Sequence, residues 1–203
     1  MIPHTTGNDG KEPKLECVLN RRENVVNLAE GLGQADRDWK GPHDLSATAA
    51  LTYDDTALHL AIDVEDDMHF QTGNPFKLWE GDGLQIALKM NDSDLSYLQA
   101  ELAYVPGKGP VAWVDKAPSH SRLAIGALPE EVTRTASREG SVTHYRIDFP
   151  WSSLGLNGPP QGAFRFSFLA NDNDGAGRKQ WIELSPGIGR QQDPFLFPLF
   201  LCK

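Results

Sequence analysis

The stretch Leu58-His59-Leu60-Ala61-Ile62-Asp63-Val64-Glu65 decides the fold. Leu58, Leu60, Ile62 and Val64 alternate with His59, Ala61, Asp63 and Glu65, a period of two that puts the large apolar side chains on one side of an extended chain. The same alternation recurs downstream. Leu84, Ile86, Leu88 and Met90 oppose Gln85, Ala87 and Lys89; Leu98, Ala100, Leu102 and Tyr104 oppose Gln99, Glu101 and Ala103; Phe164, Phe166 and Phe168 oppose Arg165 and Ser167. Weaker strand candidates are residues 16–21, 46–53, 111–115, 132–137, 141–149, 179–184 and 195–201. Turn residues separate them: Asp54-Asp55, Asn91-Asp92-Ser93-Asp94, Glu139-Gly140 and the Asn/Asp/Gly run of 171–175. One helical turn is expected at Trp151-Ser152-Ser153-Leu154, after Pro150. No longer stretch has a 3.6-residue period. Such spacing predicts an all-β protein, a single antiparallel β-sandwich of jelly-roll or immunoglobulin-like type with at most one or two short helical turns. Residues 1–14, polar and containing glycine and proline, read as a flexible lead-in, and residues 15–203 as one domain.

Composition narrows the function classes. With 203 residues and 39% hydrophobic residues the chain can build one sizeable core. A formal charge of -9 opposes an electrostatic grip on phosphate backbones, so nucleic acid is not an expected partner. No segment approaches the roughly 20 apolar residues of a membrane helix, so membrane insertion is not expected either. The opening Met1-Ile2-Pro3-His4-Thr5-Thr6 lacks the basic start and apolar run of a signal peptide. Cys17 and Cys202 are too far apart for a CxxC or a zinc knuckle; they read as two buried or free thiols or as a staple between terminal strands.

Two tryptophans break the pattern. Trp181 has the parity of Lys179 and Glu183, on the polar face of its strand, while Ile182 and Leu184 take the core side. It reads either as part of a second small core under a loop or as a flat platform for the apolar face of a sugar ring. Trp79, in the turn-rich Asn74-Pro75-Phe76-Lys77-Leu78-Trp79-Glu80-Gly81-Asp82, is either a loop staple or one wall of a slot. Trp39, Trp113 and Trp151 read as core or edge-packing residues.

These neighbourhoods carry a resemblance. The segment from Leu58 through Asp66-Asp67 resembles the strand and acidic turn of family 9 carbohydrate-binding modules. Trp79-Glu80-Gly81-Asp82-Gly83-Leu84-Gln85-Ile86 is similar to that family's Trp-Glu-x-Asp-Ser-Val-Glu-Ile motif, and Asn171-Asp172, Arg178, Trp181 and Asp193-Pro194 resemble its Asn-Asp…Arg…Trp…Asp-Pro signature. The likeness spans residues 40–203. It implies a β-sandwich and a non-catalytic module that clamps one sugar unit of a glucan- or xylan-type glycan between two tryptophans, here Trp79 and Trp181. Gln85, Glu101, Asn171, Asp172 and Arg178 are the expected flanking site residues. Gln85 replaces the motif's acid, Glu101 an expected arginine, and Leu169 an expected glutamine, so the resemblance implies an altered sugar choice. An unmatched hydroxyl costs on the order of 1–3 kcal/mol. By the same resemblance, an oligo- or polysaccharide is the expected partner, a glycoside hydrolase a companion, and an extracellular or periplasmic space the setting. Nothing in the sequence sets an oligomeric state.

The acidic turns invite structural Ca²⁺, a metal the family often carries, with Asp66-Asp67, Asp82, residues 91–94 and residues 171–175 as sources of ligands. The last turn imitates an EF-hand and fails it, because Ala170 and Trp181 fall at ligand positions. No organic cofactor is expected. The six histidines form no HExxH, and there is no GxSxG, P-loop or GxGxxG, so no catalytic centre can be named. Two other classes stand beside the carbohydrate reading: a structural or protein-interaction sandwich with a vestigial sugar site, and a haem-binding electron-transfer domain using Met68, Met90 or His69.

Overall fold

The computed structural model describes the backbone of residues 15–19 and 25–26 and, beyond them, residues 39–93, 95–189 and 191–202. The expected lead-in of 1–14 lies outside the described residues. Two antiparallel sheets form the fold. The strands are β1 (Leu15–Leu19), β2 (Val25–Val26), β3 (Leu45–Tyr53), β4 (Ala57–Asp66), β5 (Gly83–Lys89), β6 (Leu98–Val105), β7 (Gly109–Lys116), β8 (Thr133–Glu139), β9 (Val142–Pro150), β10 (Ala163–Asp172), β11 (Gln180–Glu183) and β12 (Leu199–Leu201). The first sheet has the order β1-β3-β4-β9-β8. The second has the order β2-β11-β10-β5-β6-β7, and β12 pairs with the same edge of β10 as β11 does. The protein is an all-β sandwich, as the alternation predicts.

The core lies between the sheets and is made by the apolar parity of each strand. Leu58, Leu60 and Ile62 of β4 and Tyr145, Ile147 and Phe149 of β9 meet Leu84, Ile86 and Leu88 of β5 and Phe164, Phe166 and Phe168 of β10. Burying one such side chain is worth about 1.5–3 kcal/mol. Trp151 closes one end, packed edge-on against Tyr53 at 6.3 Å with Nε1 donating to the Asp54 carbonyl (2.8 Å). Trp39 packs against the core and donates to the Leu45 carbonyl (3.0 Å). Both match the packing role read from the sequence.

Local departures have local causes. Residues 151–155 form a single hydrogen-bonded turn at the expected place, Leu154 N donating to the Pro150 carbonyl four residues back (3.4 Å). The 3₁₀ turns fall at Leu78–Glu80 and Pro194–Leu196. The second is capped by Asp193, whose carboxylate accepts from Phe195 N (2.9 Å), with Pro194 in the first position. It therefore takes the front of the strand expected over 195–201. Strand β10 runs on through Asn171 and Asp172, which pair with Trp181 and Gln180, so the turn begins at Asn173. There the Asn173 side chain accepts from Gly175 N (2.7 Å) and Gly177 N (3.2 Å), tying the reversal together. Cys202 is a free thiol.

Candidate functional site

The outward face of the second sheet carries the site. Cross-strand register lines up Glu183, Leu169, Gln85, Glu101 and Trp113 on β11, β10, β5, β6 and β7. Directly opposed residues share a face. One end of this row is covered: Leu169, Trp181, Ala87, Tyr97, Ile188 and Phe197 form a second, small hydrophobic cluster beneath the chain that follows β11. The other end is open.

Between them lies a recess of about 310 Å³, lined by Trp79, Gln85, Gln99, Glu101, Asp115, Lys116, Arg178, Ile188, Gly189 and Gln192. Three connections and three strands build it. The turn before β5 contributes Trp79, which is 40% exposed. That turn is fixed by Gln71, whose Nε2 donates to the carbonyls of Leu78 (3.0 Å) and Asp82 (2.9 Å), and by Glu101, whose carboxylate accepts from Trp79 N (3.1 Å). The β10–β11 connection contributes Arg178. The loop after β11 contributes Gly189 and Gln192, the latter at φ 49° and accepting from Lys116 Nζ (2.9 Å). On the floor, Gln99 Nε2 donates to Gln85 Oε1 (3.4 Å).

Trp181 is not the exposed platform that the sequence allowed; it is 3% exposed. The loop lies so close over the indole that a Cβ on Gly189 would sit 3.1 Å from it. This realises the satellite-core alternative and explains Leu169, which packs in the same cluster instead of facing the recess. Arg178 joins the two tryptophans. Its guanidinium carbon is 4.2 Å from the Trp181 ring centre and 5.7 Å from that of Trp79, cation–π contact with both. The space near both indoles therefore holds a guanidinium. Its Nε and Nη2 are buried without a hydrogen-bond partner. Burial, partly offset by Glu101 and Glu183, lowers the Arg178 pKa to about 9.

The carboxyl groups are also displaced from ordinary values. Burial and the neighbouring Asp115 carboxyl raise Glu101 to about 8, and burial raises Asp115. Both carboxyls line the same recess, and each is held above its ordinary value. The recess thus presents a half-exposed indole, amides, a pair of acids, an ammonium and an underused guanidinium. That mixture suits a neutral, hydroxyl-rich ring with one apolar face.

Of the residues expected at the site, Trp79, Gln85, Glu101 and Arg178 line this recess, and Trp181 backs Arg178. Asn171 shares the face with Trp181 but is buried, with neither side-chain amide atom paired. Asp172 has the opposite parity and lies in a separate acidic cluster. Gln99 is readable as a polar-face residue of its strand, whereas Lys116 has the parity of the core residue Val114 and comes opposite Gln99 only through the register shift between Gln99 and Ala100. Gln192 and Gly189 come from a loop without periodicity, and nothing local in the sequence marks them.

The acidic cluster sits where β4, β10 and the turn before β5 meet. Asp66, His69 and Asp82 form one group and Asp66, Asp172 and Asp174 another, each with ligand atoms within 4.8 Å of one another. Asp82 accepts from Phe70 N and from Asn173 N (2.6 Å). Lys179 Nζ reaches Asp44 (2.6 Å), Asp174 (3.1 Å) and Asp172 (3.3 Å), and Arg138 lies 3.7 Å from Asp66. These two cations do not balance five carboxylates. Burial and mutual repulsion push Asp66 up to about 7, Asp82 to about 9 and Asp172 to about 6. One oxygen each of Asp66, Asp172 and Asp174, and His69 Nδ1, are buried and unpaired. Such oxygens are a donor set suited to a hard cation. Met68 is exposed, His69 faces these acids and Met90 packs on the core, so the residues considered for haem do not converge.

A family model described as carbohydrate family 9 binding domain-like matches residues 29–198. The chain belongs to this family. Two solved structures of similar fold are family 9 carbohydrate-binding modules from Caldicellulosiruptor kristjanssonii. One, in complex with cellotriose, is 17% identical, covers 89% of this chain and 81% of its own, and has a TM-score of 0.61. The other, in complex with glucose, is 20% identical, covers 78% and 77%, and has a TM-score of 0.61. At those identities the likeness establishes a shared fold. No curated protein matches this family 9-like domain at a significant level.

Proposed function

We propose that this family 9-like domain is a non-catalytic module that holds one sugar unit of a glucan- or xylan-type glycan in the recess. The observation that carries the reading is the half-exposed Trp79 facing Arg178, two of whose buried guanidinium nitrogens lack acceptors. The indole covers the apolar face of the ring, and sugar hydroxyls supply the missing acceptors. An unpaired buried donor costs roughly 1–3 kcal/mol, so pairing it on binding is a direct gain. The second tryptophan acts through Arg178: Trp181 seats the guanidinium from behind, and a clamp by both indoles requires Arg178 to swing aside. Gln85, Gln99 and Glu101 read the remaining hydroxyls. The glucose and cellotriose held by the two bacterial modules support this ligand class. A glycoside hydrolase as companion and an extracellular or periplasmic setting belong to the same proposal.

Calorimetry with glucose, cellobiose and xylobiose tests it, with Trp79→Ala as control. Heat of binding in the parent that disappears in the variant is the expected result. Parent and variant alike silent toward all three sugars would overturn the assignment.

We also propose structural Ca²⁺ at the acidic cluster, held by Asp66, Asp82, Asp172 and Asp174. A divalent cation there neutralises acids that are otherwise kept partly protonated, and it fastens the turn bearing Trp79 to the end of β10. The test is a calcium-dependent rise in melting temperature that Asp172→Asn abolishes.

A further inference from the structure

Where β4 ends, the chain folds back: Met68 N donates to Asp66 Oδ1 (3.1 Å), and one residue later the ring of His69 is buried, its side chain only 7% exposed. That ring is held from β6. Its Nε2 lies 3.0 Å from the Tyr104 carbonyl, and it packs on the Tyr104 ring with centres 5.7 Å apart. A carbonyl can only accept, so Nε2 carries the hydrogen, and in the neutral ring Nδ1 keeps its lone pair. The lone pair faces two carboxylates. Nδ1 is 3.5 Å from Asp82 Oδ2 and 3.9 Å from Asp66 Oδ2, and it is buried without a hydrogen-bond partner, as is Asp66 Oδ2.

Three electron-pair donors thus converge, and the nearby donors are spent elsewhere. Arg138 Nη1 is 3.7 Å from Asp66 Oδ2, but it donates to Thr143 (2.8 Å), and Nη2 donates to the Asp66 carbonyl (2.6 Å). A proton shared between Asp82 and His69 fits poorly. Asp82 Oδ2 already accepts from Phe70 N, Oδ1 accepts from Asn173 N (2.6 Å), and 3.5 Å is long for an O–H···N bond. A cation between the three atoms satisfies all of them at once.

The identity of the cation follows from the nitrogen. Ca²⁺ takes oxygen ligands, whereas imidazole suits zinc and its first-row neighbours. An Nε2–H bonded to a backbone carbonyl is also the usual outer support of a metal-ligating histidine. The cluster is divided in the same sense. Asp172 and Asp174 have Lys179 Nζ at 3.3 and 3.1 Å, while no lysine among the described ion pairs reaches the His69 side. Two carboxylates and a neutral imidazole there match the charge of a dication.

We propose that Asp66 Oδ2, His69 Nδ1 and Asp82 Oδ2 form a site for a divalent transition ion, zinc being the type case, which binds there in preference to calcium. This rests on the reading of the acidic cluster as a cation site and deepens it by naming the ion. The ion joins the end of β4 to the residue that leads into β5, directly after the turn bearing Trp79.

The experiment is calorimetry on the full chain, stripped with chelator, titrated with Zn²⁺ and with Ca²⁺. The parent should bind one Zn²⁺ at least about tenfold more tightly than Ca²⁺. His69→Gln, which puts an oxygen where the nitrogen was, should weaken Zn²⁺ about a hundredfold or more, since even an outer-shell partner is worth about 10–100-fold, and should leave Ca²⁺ within about threefold. Co²⁺, a coloured stand-in for zinc, should develop visible d–d bands in the parent and not in the variant. Because the exposed histidines also sit beside carboxylates, His59→Ala and His144→Ala are run alongside, and both should keep zinc affinity within about twofold. Zinc binding that survives His69→Gln, that is lost in either exposed-histidine variant, or that is no tighter than calcium in the parent overturns the proposal and leaves the calcium reading standing. A parent that binds neither ion defeats the cation-site reading itself. Should His69→Gln fail to fold, the parent's ion preference and the two exposed-histidine variants still decide.

Discussion

The two sheets present outer faces built by the same alternation to opposite ends. On the first sheet the outward positions of β4, β8 and β9 meet water and pair loosely with one another: Asp63 with His144 (2.9 Å) and Arg146 (2.8 Å), His59 with Asp148 (2.7 Å). On the second, every residue of β5 is buried on both faces, and the outer face holds a hydrophobic cluster, a recess and an arginine laid on an indole. Alternation alone therefore marks a face as not belonging to the central core; it does not say whether solvent or a loop covers it. The proposed sugar site is on the covered face because polar groups there are shielded enough to gain appreciably from a ligand.

The largest expected effect that probes this contrast is on stability. Trp181→Ala empties the outer cluster and removes the seat of Arg178, and should cost about 3–5 kcal/mol in urea unfolding. A loss below about 1 kcal/mol would mean that the cluster is a loose cover. Next comes Trp79→Ala, which should abolish measurable sugar binding while changing stability by less than about 1 kcal/mol, since the ring is half in solvent. Arg178→Ala sharpens the same point. Affinity measured by calorimetry should fall about tenfold as the donors to the sugar are lost, and a rise would mean that the guanidinium chiefly blocks the approach to Trp181.

pH should act on both faces, in the same direction and for different causes. Glu101 and Glu183, raised by burial to about 8 and about 7, favour the folded state most when protonated in it. Their contribution is present below the ordinary carboxylate range near 4.5 and is lost as pH rises through about 7 to 8. In chelator, melting temperature should fall between pH 5 and pH 8, and Glu101→Gln should flatten part of that slope. His59 on the first sheet runs the same way for a different reason. Burial opposes its charge, but Asp148 and Asp54 win and raise its pKa, so that contribution too is lost as pH rises through its folded value. Smallest of all, Arg146→Ala on the solvent face should change stability by no more than about 0.5 kcal/mol, because its ion pair with Asp63 is exposed.

How much of this was legible follows from the physics of each region. Alternation located the strands of both sheets apart from the two-residue β2, because core burial imposes a period of two wherever one face is sealed by the other sheet. It also flagged Trp181 and Trp79 as out of place. What it could not do was choose between an exposed platform and a roofed one, since the roof is a loop whose Ile188 and Gly189 have no repeating pattern. The position of Arg178 near both rings belongs to that same irregular chain. The resemblance places Asn171 and Asp172 together at the sugar site, and strand parity sends the two side chains to opposite faces. The Leu169 departure, a loss of specificity when read as a site residue, is a packing requirement of the roof.

The shared edge of β10 has a consequence for how such a domain can change over time. Strands β11 and β12 dock on one rail, and the intervening chain leaves and returns to it, through Leu184 N on the Phe168 carbonyl (3.0 Å) and Phe166 N on the Pro198 carbonyl (3.2 Å). Both ends of that excursion are bolted to the same strand, so its middle, with Gln192 over the cleft, is a cassette. The part around Gln192 can be rewritten without disturbing a rung of the ladder, while Ile188, Gly189 and Phe197 stay tied to the Trp181 cluster, so selectivity can evolve at the tip of the excursion with its base kept.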